Sequence, residues 1–160
     1  MLYIIDANNV AGKLKMLGQS DFDKKLIKIF QKFNQNKNKE IELVFDGIDM
    51  MGDKCVIDVK LIVIYAPKDN FYTSADDKIV EMTERYVNRD KKEITVVTDD
   101  NGLKKRIEKI SENYSVKINL EKATWWAQQL IRKEDLNQKK LNKDVEQEIN
   151  QELLEQWSKK

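Results

Sequence analysis

Four short apolar runs punctuate the chain, Leu2–Ile5, Glu40–Phe45, Leu61–Tyr65 and Ile94–Val97, and segments of helical periodicity separate them. LIVIY and ITVV are apolar throughout, which suits central strands of a parallel sheet covered on both faces. Val116–Leu120 predicts a fifth strand, and Lys54–Val59 a short extra one. Helices are predicted over Ser20–Asn36, Ser74–Arg89, Asp100–Ile110 and Ala123–Arg132. In the first of these, Phe22, Leu26, Ile29, Phe30 and Phe33 share a face, and Ser20 with Asp23 resembles a capping box. Strands alternating with helices predict βαβ units, hence an α/β fold with a mostly parallel sheet.

At 160 residues there is room for one domain and an extension. The domain is expected over residues 1–132. Residues 133–160 are charged and helix-prone, with Leu141, Val145, Ile149, Leu153 and Trp157 recurring every fourth position. That step drifts around a 3.6-residue helix, so the stripe winds. Such a C-terminal helix could pack on its own domain, the simplest reading, pair with a second copy as a homodimer, or extend as an arm.

Composition narrows the chemistry. Histidine is absent and Cys55 is the one cysteine. His-based triads, His bases, zinc-type ligand sets and intrachain disulfides are therefore excluded. Lys and Arg number 29 against 28 Asp and Glu, so any nucleic-acid or metal site must come from how charges are sorted in space. No apolar run reaches the roughly 18 residues of a membrane helix, and the opening MLYIIDANN lacks a signal-peptide layout. A soluble, cytoplasmic protein with no membrane partner is expected.

An acid follows each main strand: Asp6, then Asp46 in VFDG, then Asp76-Asp77 after a short loop, then Asp99-Asp100. In a parallel sheet these strand ends share the edge where α/β folds build their sites. Gathered carboxylates repel and raise one another's pKa unless a cation sits among them. Without imidazole, the suited occupant is a hard, oxygen-seeking ion, Mg²⁺ or Mn²⁺, able to activate water for phosphodiester hydrolysis. Each acid also has a plainer reading. Asp76 and Asp100 stand where helix caps stand, and Asp46-Gly47 could make a turn. Asp6 is expected to end its strand with no helix starting at once behind it. Asp77 and Asp99 are read as solvent-facing or supporting members of their pairs.

IIDANNV, VFDG, SADDKI and VVTDD, in that order, resemble the motifs of NYN domains, nearest the YacP-like branch of the PIN-like ribonucleases. The resemblance covers roughly residues 1–130. It implies a PIN-like three-layer αβα sandwich and metal-dependent, endonucleolytic RNA cleavage leaving 5′-phosphate and 3′-hydroxyl ends. By position, Asp6, Asp76 and Asp100 match the core metal-binding acids, Asp46 the VFDG acid and Asn9 the motif Asn. The usual Gly-aromatic pair is Ala7-Asn8 here, and the usual Ser before the last acid is Asp99.

RNA would need cations around such a centre. Lys13, Lys68, Lys104, Lys105 and Arg106 lie beside the motifs, and Ser74 and Thr98 could support the site. Phe71 and Tyr72 are candidate stacking platforms for single-stranded or looped RNA, and of Trp125 and Trp126 one is expected in the core. Association with a ribosome is a further expectation. Rival readings are a non-catalytic RNA- or ribosome-binding module and a haloacid-dehalogenase-like phosphatase. The latter's second acid would fall at Asn8, which cannot act as a general acid.

Overall fold

The computed structural model describes residues 1–35, 37, 39–47, 52–69, 72–89 and 93–136. The chain divides into two units, Met1–Ala127 and Gln128–Lys160. Among the described residues, the first unit holds every strand and all four strand-end acids. The stripe expected along residues 141–157, with the homodimer reading attached to it, and the Phe71 platform lie outside the described residues.

The elements run β1 (Leu2–Asp6), α1 (Ala7–Lys13), α2 (Phe22–Asn34), β2 (Glu40–Phe45), β3 (Asp53–Asp58), β4 (Leu61–Tyr65), α3 (Ala75–Arg89), β5 (Ile94–Val97), α4 (Asn101–Tyr114) and β6 (Ile118–Glu121). A last helix begins at residue 123. The six strands form one sheet in the order β3-β4-β2-β1-β5-β6. Only β3, the short strand read from Lys54–Val59, is antiparallel; it pairs with β4 and forms an edge. The rest is parallel, which suits the apolar runs of β4 and β5.

Helices cover both faces. On one, Ile79, Met82 and Val87 of α3 and Leu103, Ile107 and Ile110 of α4 pack with Leu2, Ile4, Val44, Ile64, Ile94 and Val96 from the strands. On the other, Phe30 and Phe33 of α2 meet Trp126, whose ring stands 5.9 and 5.6 Å from theirs and 5.3 Å from Tyr3. Trp126 is fully buried and Trp125 is 46% exposed, so the adjacent pair splits between core and surface. The strand–helix alternation predicts the mostly parallel α/β sheet, and its cover of helices on both faces is consistent with the αβα sandwich that the NYN resemblance implies. Among the described residues no helix is long and apolar enough to cross a membrane.

β1 is central and buried at every position because it pairs with β2 on one side and β5 on the other. From β1 the chain builds outward to β2 and β4, then returns to add β5 and β6 on the opposite side. That reversal opens a crevice beyond the carboxyl ends of β1 and its neighbours. Gly47 lets the chain leave β2 close to β4, since a Cβ there would fall 1.6 Å from the carbonyl oxygen of Ala66.

Two local expectations fail. First, α1 starts at Ala7, directly behind Asp6, whose Oδ1 accepts the Asn9 backbone N–H at 3.0 Å. ANNVAGK has two Asn and a Gly and little intrinsic helical preference. The burial of Ala7, Val10 and Ala11, together with the cap, supplies what propensity lacks. Second, the Ser20–Asp23 capping box does not form. α2 begins at Phe22 with no side-chain cap from Asp21. The Asp23 carboxylate instead accepts the Lys24 N–H and, at 2.8 Å, the Tyr65 hydroxyl.

Candidate active site

The crevice is a cleft of about 450 Å³ lined by Asp6, Asn8, Asn9, Gly12, Lys13, Leu17, Asp46, Ser74, Ala75, Asp76 and Asp100. All four predicted strand-end acids and Asn9 therefore share one cavity. They arrive from the end of β1, the end of β2, the first turn of α3 and the residue capping α4.

Local chemistry fixes each carboxylate differently. Asp6 is 5% exposed. Its Oδ2 accepts the Thr98 hydroxyl at 3.0 Å, and that same hydroxyl oxygen accepts the Asp100 N–H at 3.0 Å. Parallel registry explains the contact: Ile5 lies opposite Val97, so Thr98 emerges beside Asp6. Asp100 caps α4 by accepting the Leu103 N–H at 2.9 Å. Asp46 braces the cleft: its Oδ1 accepts the Ala75 N–H at 2.7 Å and its Oδ2 accepts the Asn8 amide at 2.9 Å. Asn8 closes the bracket by accepting the Asp46 N–H at 3.1 Å. The turn read at Asp46-Gly47 is thus a cross-link between α1, β2 and the start of α3. Asp76, half-buried, accepts no hydrogen bond among the described residues and leaves its oxygens to the cleft.

The charges are unbalanced. Burial, reinforced by Asp76 and Asp46, pushes Asp6 up from its ordinary 3.8 to about 6, although the Asn9 and Thr98 hydrogen bonds pull the other way. Asp76 is also raised, by burial first and by Asp100 next, with Arg106 opposing. Lys13, which lines the cleft, is held by Asp99 at 3.3 Å.

Such a set of oxygen donors fits a hard divalent cation. Among the described residues no three Asp, Glu, His or Cys side chains form a cluster able to ligate one ion. Mg²⁺ seldom needs one. It binds through one or two carboxylates, retained waters and substrate phosphate, and the open Asp76 with its acidic neighbours meets that demand.

The expected RNA-contacting residues separate. Lys13 is in the cleft. Lys68 lines a smaller cavity beside it. Lys104 Nζ donates to the Asp99 carbonyl at 3.2 Å, and Arg106 pairs with Asp77 at 2.8 Å. Lys105 is exposed on α4 and lines neither cavity. The Tyr72 hydroxyl donates to Glu81, with Lys78 over its ring at 5.1 Å. Asp77 and Asp99, read as supporting members, act as anchors. Asp77 accepts Thr73 and Arg106, and Asp99 accepts the N–H and hydroxyl of Thr124 beside Lys13. Asn8 is the residue that sequence reasoning undervalues; in the sequence it stands out only as a departure where an aromatic is usual.

The YacP-like NYN domain family matches residues 3–160, essentially the whole chain. The chain belongs to that family. No curated protein and no solved structure matches it. NYN domains are part of a PIN-like nuclease superfamily whose members generally use divalent metals, and the mostly parallel sheet between two helical layers is consistent with that sandwich. In this NYN domain the Asn8–Asp46 bracket ties the start of α1 to the end of β2.

The uncompensated Asp6 charge has a measurable cost in the metal-free protein. With a folded pKa near 6 and an unfolded value of 3.8, the folded state holds a proton that the unfolded chain has released. This group's contribution is therefore most favourable below pH 3.8, declines as pH rises through 6, and is flat above. The loss amounts to about 3 kcal/mol. Asp6→Asn keeps an acceptor for the Asn9 N–H, exchanges the acceptor facing the Thr98 hydroxyl for an amide donor, and removes the charge, whose cost outweighs that one hydrogen bond. In EDTA at pH 7.5 it is expected to melt on the order of 5–10 °C above wild type, with little difference at pH 4. Melting curves at the two pH values check this; equal melting at pH 7.5 contradicts it.

Proposed function

We propose that this NYN domain is a divalent-metal-dependent endoribonuclease that hydrolyses phosphodiester bonds in single-stranded or looped RNA, in the cytoplasm. The observation that carries the reading is the gathering of Asp6, Asp46, Asp76 and Asp100, from four separate stretches of chain, around one cleft with a surplus of negative charge. Asp76 is assigned to the ion with Asp6 or Asp100 as its second carboxylate, since no three of the described acids cluster closely enough to ligate one ion, and waters and the substrate phosphate complete the set. Thr98 bonds Asp6 and the Asp100 backbone together. Asp46 assists by fixing the distance between α1 and α3. The Asn9 Oδ1 accepts the Asp99 N–H at 3.3 Å, which leaves its amide hydrogens for a phosphate oxygen. When bound, Mg²⁺ or Mn²⁺ supplies Lewis acidity toward the phosphodiester and acidifies the attacking water.

A second reading has its own support. Asp6, Asp46 and Asp100 each accept a helix-start N–H, as they would in a non-catalytic RNA- or ribosome-binding module. The fastened Asn8, in contrast, leaves the phosphatase reading without its general acid. Incubation of free and ribosome-bound RNA with Mn²⁺ separates the first two. Wild type is expected to cut and Asp6→Asn to be inactive although folded. Equal cutting by both, or none by wild type on either RNA, contradicts the enzyme.

A further inference from the structure

We infer that the small cavity adjoining the cleft is a phosphate subsite for the RNA backbone, with Lys68 as its cation. This rests on the ribonuclease reading and deepens it. The cavity measures about 190 Å³ and is lined by Asp46, Gly47, Ala66, Pro67, Lys68, Thr73 and Ser74. Asp46 and Ser74 line the main cleft too, so the cavities share a wall and a strand leaving one passes the other.

An RNA strand threading an acidic centre needs a cation that is not already committed. Most of the neighbouring cations are. Lys13 is paired with Asp99 at 3.3 Å, Arg106 with Asp77 at 2.8 Å, and Lys78 with Glu81. Lys104 donates to the Asp99 carbonyl. Lys68 is exposed and makes no ion pair among the described residues. A phosphate arriving there displaces no existing carboxylate partner. The Ser74 hydroxyl has no hydrogen-bond partner among the described residues and offers a donor to the same oxygen. The Asp46 carboxylate on the shared wall is already turned to the Ala75 N–H and the Asn8 amide, which tempers its repulsion of an anion.

The test is a salt titration of binding to a labelled single-stranded RNA in EDTA, where hydrolysis does not run. Each phosphate neutralised on a single strand contributes about −0.7 to the slope of log K against log salt. Lys68→Gln is expected to flatten the wild-type slope by about 0.7. Lys68→Arg, which keeps the charge, should restore it. Lys117→Gln, before β6 at the opposite edge of the sheet, should leave the slope as in wild type. A wild type that binds with Lys68→Gln giving the same slope overturns the subsite alone, as does an equal change in Lys117→Gln. A wild type that binds no single-stranded RNA, either in EDTA or with Ca²⁺ supplied to the cleft, overturns the subsite and the ribonuclease reading together.

Discussion

Asp76→Asn is expected to lower kcat/KM for RNA cleavage by about 10³-fold, equivalent to about 4 kcal/mol of transition-state stabilisation, with no loss of stability. The change is nearly isosteric. The Asp76 carboxylate makes no hydrogen bond among the described residues, so the fold loses none, only the pull of Arg106. Its carboxyl is already raised by burial and by Asp100, so a neutral amide relieves repulsion in the free protein. What disappears is the least encumbered oxygen donor in the cleft. Asp46→Asn should cost less, because both Asp46 oxygens are spent on bracing Asn8 and Ala75. Steady-state kinetics beside a melting curve check the pair. An Asp76→Asn enzyme within tenfold of wild type contradicts the role given to that carboxylate.

The second large effect lies in the core. Trp126→Ala is expected to destabilise the protein by about 3–5 kcal/mol, the range for removing a large aromatic from a packed interior. Trp126 is fully buried between Tyr3, Phe30 and Phe33, so β1, α2 and the start of the last helix lose a common contact. Its indole N–H also donates to Glu121 at 2.6 Å, which ties the helix to the end of β6. Denaturant unfolding measures the loss. Trp125→Ala, on an exposed ring, should cost far less; equal losses at the two positions would contradict this packing.

How much is legible from sequence depends on the range of the forces involved. β1, β2, β4 and β5 are readable because burial on both faces leaves short, mainly apolar runs, broken in β2 only by Glu40 and the buried Glu42, a signal carried by adjacent residues. The acids stand out because each follows such a run. α1 is not readable: a seven-residue helix rich in Asn forms only because Asp6 caps it and the sheet buries Ala7, Val10 and Ala11. The capping box fails for a similar reason, since Asp23 is claimed by Tyr65, far away in the chain. Side-chain partnerships across the cleft have no local trace either. Asn8 with Asp46, Thr98 with Asp6 and Lys13 with Asp99 depend on strand order, which periodicity does not encode. The basic residues around Asp100 illustrate the limit, as Lys104 and Arg106 face protein oxygens and Lys105 faces solvent.

The most direct test is a thermal melt of the wild type across a Mn²⁺ titration, run in parallel with Asp76→Asn. At about one hundred times its dissociation constant, an ion bound only by the folded state stabilises by roughly 2.7 kcal/mol, a rise of about 5–10 °C for a chain of this size. The wild type should show that rise, and the variant should show little or none. A wild type indifferent to millimolar Mn²⁺, or a variant that responds as strongly, would contradict an ion-binding cleft.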